Sequence, residues 1–306
     1  MRIVLLSRSG TLYSTRRLSE AARRRGHDVR LLDPVECELV MTGGAVEVFH
    51  RGRKVGPVDA VIPRIAQSVA NYGLAVVEHF GLRGVVLVND SSAIAQARNK
   101  LRCLQALAAR GIEVPATVMA RDATQIRQLV GRVGGVPVLV KLLQANGRTG
   151  VMVCESLQSL GAALETVLGL GQNFIVQQYV DRRGGRDLRA LVVGDRVVAA
   201  VRRRPRPGRL ARTLGRGARL AEAVLTREQA ALAVESARVV GLLVAAVDMV
   251  EAGGKTRVFE VNASPGLESL EKATGRDLAS PIILLAEQEV ASRSGARVRR
   301  ADGGRG

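Results

Sequence analysis

Short apolar runs at residues 3–6, 29–32, 60–62 and 85–88 are separated by polar and amphipathic stretches, a pattern that predicts buried strands alternating with helices. Between the first two runs, Leu18, Ala21 and Ala22 form an apolar stripe on a helix that ends in Arg23-Arg24-Arg25-Gly26, a basic last turn followed by glycine. A βαβ opening of this kind argues for a parallel sheet. Residues 46–49 and 54–55 flank His50-Arg51-Gly52-Arg53 as a hairpin, and Asn89-Asp90-Ser91-Ser92 offers capping side chains to a helix over residues 93–110. Beyond that helix, strands are expected at residues 138–143 and 174–180. A hairpin over residues 191–200 turns at Gly194-Asp195. Thr226 and Gln229 form a capping box for a helix reaching toward Val240. A last helix spans residues 281–291, and the basic, glycine-rich end, residues 292–306, is expected to be disordered.

The chemistry concentrates in a second hairpin. Residues 244–250 and 257–262 read as strands joined through Gly253-Gly254, and the second strand stops at Ser264-Pro265-Gly266. With the hairpin centred on Gly254, Asp248 falls opposite Glu260, and Asn262 shares the face of Glu260. Unpaired carboxylates about 5 Å apart repel. A hard cation relieves that repulsion. Two carboxylates and an amide oxygen are a donor set for Mg²⁺, which keeps water or phosphate oxygens in its remaining positions. Lys141 ends an apolar run, Val138-Leu139-Val140, in a strand apolar on both faces. Buried lysine is rare unless paired, and a nucleotide phosphate is a suitable partner. The loop that follows, residues 144–151, keeps Gly147 and Gly150 and is placed to cover phosphates with backbone N–H groups.

Composition changes the picture in two ways. The 306-residue chain carries a net charge of +18, with a pI near 11.3, and so attracts polyanions or acidic peptides. Its three cysteines, Cys37, Cys103 and Cys154, and three histidines are scattered, which argues against a disulfide framework or a zinc site. No Ser/His/Asp or Cys/His cluster offers a nucleophile. No apolar run is long enough to span a bilayer, and there is no signal-peptide layout, so a cytoplasmic protein without membrane contact is expected. Only 2% of residues are aromatic, too few for a platform that stacks single-stranded bases.

The run Glu260-Val261-Asn262-Ala263-Ser264-Pro265-Gly266-Leu267-Glu268, continued by Glu271-Lys272-Ala273-Thr274-Gly275, resembles the signature of the RimK family. Asp59-Ala60-Val61-Ile62-Pro63-Arg64-Ile65 resembles its N-terminal domain, and the likeness covers residues 1–289. These are ATP-grasp ligases that add glutamate to the C-terminus of ribosomal small-subunit protein six. The resemblance implies an α/β chain: an N-terminal parallel-sheet, pre-ATP-grasp domain over residues 1–98, then an ATP-grasp fold of two α+β subdomains over residues 99–182 and 183–290. It also implies ATP and Mg²⁺, with Mn²⁺ as an alternative, and as partners glutamate and the acidic C-terminal tail of a ribosomal protein. Assembly as a homo-oligomer and contact of the basic surface with RNA are further expectations.

Residue by residue, the likeness places Lys100 and Lys141 on phosphates, Gln178 and Tyr179 at the adenine edge, and Asp187 and Thr213 toward the nucleotide. It places Arg204 and Arg216 at the reacting acyl phosphate, and Asp248, Glu260 and Asn262 on the metal. Eight of the residues 202–219 are arginine, and most are expected to be solvated. The chain departs from the family pattern at Gln178, where glutamate is usual, at Thr213, where asparagine is usual, and at Ala145 and Arg148 in the glycine loop. Two rival functions follow. One is a ligase of the same fold with a small acid or carrier protein as acceptor. The other is a non-enzymatic, basic RNA- or ribosome-binding relative whose nucleotide site has decayed.

Overall fold

The computed structural model describes residues 1–120, 125–143, 150–180, 187–204 and 219–302, with the side chains of Arg204, Arg219 and residues 295–302 excepted. Thr213, Arg216 and the loop of Ala145 and Arg148 lie outside the described residues, as does the Arg204 side chain.

The N-terminal part comprises β1 (Arg2–Leu6), α1 (Tyr13–Arg24), β2 (Asp28–Leu32), β3 (Cys37–Thr42), β4 (Ala45–His50), β5 (Arg53–Lys54), β6 (Ala60–Pro63), α2 (Ala70–Leu82) and β7 (Val86–Leu87). Strands β2-β1-β6-β7 form the expected parallel sheet. Strand β3, absent from the sequence reading, pairs with β4 and extends the expected hairpin to three strands. Its apolar run, Leu39-Val40-Met41, is short, and only Cys37 of the strand is buried.

Next come α3 (Ser91–Arg98) and α4 (Lys100–Ala109), where a single helix was expected. The break is at Asn99, whose side chain accepts a hydrogen bond from Arg102 N–H at 3.0 Å and so caps α4. Lys100 therefore opens a helix instead of sitting inside one. Then β8 (Thr117–Val118), α5 (Ile126–Arg132), β9 (Val138–Leu142), β10 (Val151–Cys154), α6 (Leu157–Gly169) and β11 (Phe174–Gln178) build a small antiparallel sheet, β10-β9-β11-β8, covered by α5 and α6.

The rest is β12 (Asp187–Val193), β13 (Arg196–Arg204), β14 (Arg219–Glu222), α7 (Arg227–Val240), β15 (Val244–Ala252), β16 (Lys255–Asn262), α8 (Glu268–Thr274) and α9 (Ala279–Asp302). Its five strands form a larger antiparallel sheet, β14-β13-β12-β15-β16. The capping box at Thr226 and Gln229 starts α7 as expected. Helix α9 runs through residues 292–302, past the expected start of a disordered tail. Among the described residues, no helix is long and apolar enough to cross a membrane.

The parallel sheet and the five-stranded sheet share one core. Ile3, Leu5, Ala60 and Ile62 from the first pack in a cluster with Leu191, Val201, Val244, Leu267 and Ile283. Two polar clamps fix this junction. Asn89 is buried and donates to the carbonyls of Val244 (2.8 Å) and Ala263 (3.0 Å), while its Oδ1 accepts from Val244 N–H (2.8 Å). Glu271 is buried and accepts from Tyr13 Oη (2.8 Å), Arg17 Nε (2.9 Å) and Leu278 N–H (2.9 Å). Both clamps tie the first domain to the segment that follows β16.

Burial pushes the Glu271 carboxyl up, but Arg17, Leu278 N–H and Tyr13 together outweigh it and hold it below its ordinary value of 4.5. A lowered folded-state pKa adds stability that is present above the unfolded value and lost as pH falls through the folded one. Glu271→Ala, which removes the buried acceptor of Tyr13, Arg17 and Leu278 N–H but leaves Arg17 its pairs with Glu20 and Asp277, is expected to cost about 1–3 kcal/mol at pH 7. The difference from wild type should narrow below about pH 4.5, the ordinary value of the carboxyl. Thermal melts of both proteins at pH 7 and pH 4 check this, and an equal gap at the two pH values would refute it.

Candidate active site

The site begins at the β15–β16 hairpin. Ala252 pairs with Lys255, so the turn is the two-residue Gly253-Gly254, both at positive φ (60° and 73°), the conformation that hairpin turns of this length require. A regular ladder from this turn would place Asp248 opposite Phe259. Instead the register shifts between Asp248 and Met249: Met249 pairs with Val258, and Asp248 with Glu260. Phe259 is the extra residue of a β-bulge. The bulge reverses the alternation, so Val258 and Val261, three apart, both enter the core beneath α7. Phe259, Glu260 and Asn262 line a cavity on the other side.

That cavity, about 280 Å³, is lined by Lys141 and Ile175 of the small sheet, Phe259, Glu260 and Asn262 of the large sheet, and Arg98 and Lys100 of the helices between them. It thus brings together Lys100, Lys141, Glu260 and Asn262. Lys100 Nζ donates to the Leu142 carbonyl at 3.4 Å. Burial lowers the pKa of its ammonium, against the opposing pull of Glu260. Only five of the chain's 46 basic residues are lysine, and the other three, Lys54, Lys255 and Lys272, pair with surface glutamates. A chain that otherwise favours arginine keeps two compact ammonium groups here, the point-charge donors suited to phosphate oxygens.

Asp248 is 1% exposed and is not an unpaired carboxylate. Oδ1 accepts from Arg189 Nε at 2.6 Å and from Arg203 Nη2 at 3.3 Å, and Oδ2 accepts from Arg189 Nη2. Arg203 also lies 3.7 Å from Asp187. One face of the large sheet therefore carries a charged row, Arg203, Asp187, Arg189, Asp248 and Glu260, ending at the cavity. Arg189 and Arg203 were missed by sequence reasoning, and Arg202 and Arg203 were placed in a solvated loop. In the structure they belong to β13, where Arg202 pairs with Glu251 at 2.9 Å. The available signal was the one used for Lys141: Arg189 is flanked by Leu188 and Ala190 in an apolar strand.

Glu260 is exposed to the cavity and Asn262 is half-buried, its Oδ1 accepting from Ser264 N–H at 2.9 Å. Among the described residues, no group of three or more His, Cys, Asp and Glu could hold a metal. Of the three residues expected on a metal, Glu260 and Asn262 are the two whose side-chain oxygens border the cavity, where they could meet a hard cation. Asp248 stands behind them, across one rung of the ladder from Glu260. Gln178 and Tyr179 lie outside the cavity lining. Gln178 N–H is engaged by the Ala116 carbonyl at 2.8 Å, so that donor is not available to an adenine edge.

Two antiparallel sheets that close on a cationic and acidic cavity, behind a parallel-sheet domain, define an ATP-grasp protein. Residues 1–94 match the RimK PreATP-grasp domain and residues 97–285 the RimK-like ATP-grasp domain, and the chain belongs to this family. It is 43% identical over 288 residues to a probable alpha-L-glutamate ligase of Thioalkalivibrio sulfidiphilus, covering 94% of this chain and 96% of the relative. A probable alpha-L-glutamate ligase of Vibrio cholerae is 40% identical over 293 residues, covering 96% and 97%. Among solved structures, the ATP-grasp ligase PsnB complexed with its minimal precursor superposes with a TM-score of 0.74 at 21% identity, covering 94% of this chain and 98% of PsnB. The D-alanine–D-alanine ligase of Bacillus anthracis complexed with ATP gives 0.66 at 16%, covering 99% of both chains.

Proposed function

We propose that this chain, an ATP-dependent carboxylate–amine ligase by family, adds glutamate to the acidic C-terminus of a ribosomal small-subunit protein. The observation that carries the reading is the convergence of Lys100, Lys141, Glu260 and Asn262 on one cavity between two sheets. In the reaction, the terminal carboxylate of the acceptor takes the γ-phosphoryl group of ATP and ADP leaves. The amine of glutamate then bonds the acyl carbon, the C–O bond to phosphate breaks, and the amine loses its proton as the amide forms.

Lys100 and Lys141 would hold phosphate oxygens throughout. Glu260 and Asn262, with Asp248 behind them, would hold Mg²⁺ or Mn²⁺, which when bound neutralises charge on the phosphates. Arg204 and Arg216 would steady the acyl phosphate and the oxyanion that follows. Gln178 and Tyr179, through backbone groups other than Gln178 N–H, together with Asp187 and Thr213, would meet the rest of the nucleotide.

The net charge of +18 suits an acidic acceptor. Steering between exposed charges is screened over about 10 Å at 0.1 M salt, so kcat/KM for an acidic peptide should fall steeply as salt rises. The test measures ADP release with glutamate and either a Glu-ending acidic peptide or a neutral one, across a salt titration. Equal, salt-independent use of both peptides would instead indicate a small-molecule acceptor. No turnover and no Mg-ATP binding at millimolar nucleotide would indicate a non-enzymatic relative.

A further inference from the structure

Among the described residues, two polar atoms of the cavity lining are buried without a hydrogen-bond partner: Arg98 Nη1 and Ser264 Oγ. Each residue stands two positions along the chain from one already placed at the site, Arg98 from Lys100 and Ser264 from Asn262. Both are held in place by other atoms. Arg98 Nη2 donates to the Ile65 carbonyl. Ser264 N–H donates to Asn262 Oδ1, and the carbonyl of the next residue, Pro265, accepts from Arg64 Nη2 at 2.7 Å. The Asn89 bond to the Ala263 carbonyl fixes the same segment from the other side.

This corner differs electrostatically from the charged row on the large sheet. Arg189 and Arg203 have carboxylate partners there. Among the described residues Arg64 and Arg98 have none: burial lowers both guanidinium pKa values, Arg64 to about 10. A buried polar group left without a partner is costly, so the corner is built for an anion that arrives from outside. One guanidinium N–H and one hydroxyl match the two oxygens of a carboxylate. Ile65, Ala97 and Leu104 line the same cavity and suit a short methylene chain.

We propose that Arg98 Nη1 and Ser264 Oγ bind a non-reacting carboxylate of the incoming glutamate and so turn its amine toward the carboxyl group activated beside Glu260 and Asn262. This rests on the glutamate-ligase reading above. The acceptor's reacting carboxylate must meet the phosphate near the lysines, and the amine must come within about 3–3.5 Å of its carbon. Anchoring a second carboxylate at this corner sets that distance. It also selects for an acidic amino acid, because an amide in its place leaves the guanidinium without a countercharge.

The experiment uses the full chain with Mg-ATP and a Glu-ending peptide, comparing glutamate with glutamine and with the α-amide of glutamate. Wild type should prefer glutamate over at least one amide by about a hundredfold in kcat/KM. Arg98→Gln and Ser264→Ala should each raise the KM for glutamate about 10- to 100-fold and shrink that preference. The Mg-ATP-induced rise in melting temperature and the KM for the peptide should stay as in wild type. Ser264→Ala removes one oxygen, so it keeps the test valid if Arg98→Gln folds poorly. An unchanged glutamate KM in the variants overturns the assignment. So does a lost Mg-ATP shift, which would make the corner a phosphate site, or a rise in the peptide KM alone, which would make it an acceptor site. Absence of glutamate-dependent turnover in wild type would instead sink the parent reading.

Discussion

Glu260→Gln is expected to lower ATP turnover by at least about a thousandfold, some 4 kcal/mol of transition-state stabilisation, while leaving the melting temperature of the free protein nearly unchanged. Asp248→Asn is expected to lose both turnover and stability. The two carboxylates face each other across one rung of the β15–β16 ladder, yet their surroundings differ. Glu260 is exposed to the cavity, and removing its charge affects what binds there. Asp248 is buried under two guanidinium groups, and Asp187 near Arg203 is the other acid in that group. An amide at position 248 leaves Arg189 with a donor facing it and only the weaker pull of Glu260 and Asp187 in place of its two-oxygen partner, a loss of about 3–5 kcal/mol for a broken buried pair. Read from sequence as an unpaired acid, Asp248 would repel its neighbour and its neutralisation would stabilise the fold. The arginines reverse that sign. Steady-state kinetics at saturating Mg²⁺ and a melt without nucleotide separate the two variants. Full activity in Glu260→Gln, or a stabilised Asp248→Asn, would refute this account.

The hairpin shows how much of the site was legible and where reading stopped. Asp248 does face Glu260, but the reason lies in the bulge rather than in a turn centred on Gly254. A trace of it stands in the sequence: Val258 and Val261 are both apolar at a spacing of three, which a regular strand cannot bury on one face. The parallel opening, the Gly194-Asp195 hairpin and the capping box at Thr226 were legible because each rests on local chemistry. The break at Asn99 was not, since residues 93–110 are helix-forming on both sides and one asparagine carries the whole signal. Arg189 and Arg203 were missed for a different reason. Their shared partner, Asp248, lies far away in sequence, and in an arginine-rich chain each looks like ordinary surface.

Lys141 carries the second large effect. Lys141→Met is expected to weaken Mg-ATP binding about a hundredfold, and Lys100→Met by a comparable or smaller factor. Both ammonium groups line the 280 Å³ cavity beside Glu260. A phosphate oxygen between them would form charge-assisted hydrogen bonds worth about 1.5–3 kcal/mol each. The consequence is sharp in a melt. At a nucleotide concentration a hundred times the wild-type Kd, binding stabilises the wild type by about 2.7 kcal/mol. With Kd raised a hundredfold, the same concentration only half-fills the site and stabilises by about 0.4 kcal/mol. Lys141→Arg keeps the charge but spreads it over a larger planar group, and in a cavity this small it should recover only part of the shift. Lys255→Met, which removes a surface lysine paired with Glu113, serves as the control and should retain the full shift. A Lys141→Met protein that keeps the wild-type Mg-ATP shift would show that this lysine holds no phosphate, and the cavity would then have to take the nucleotide by some other wall.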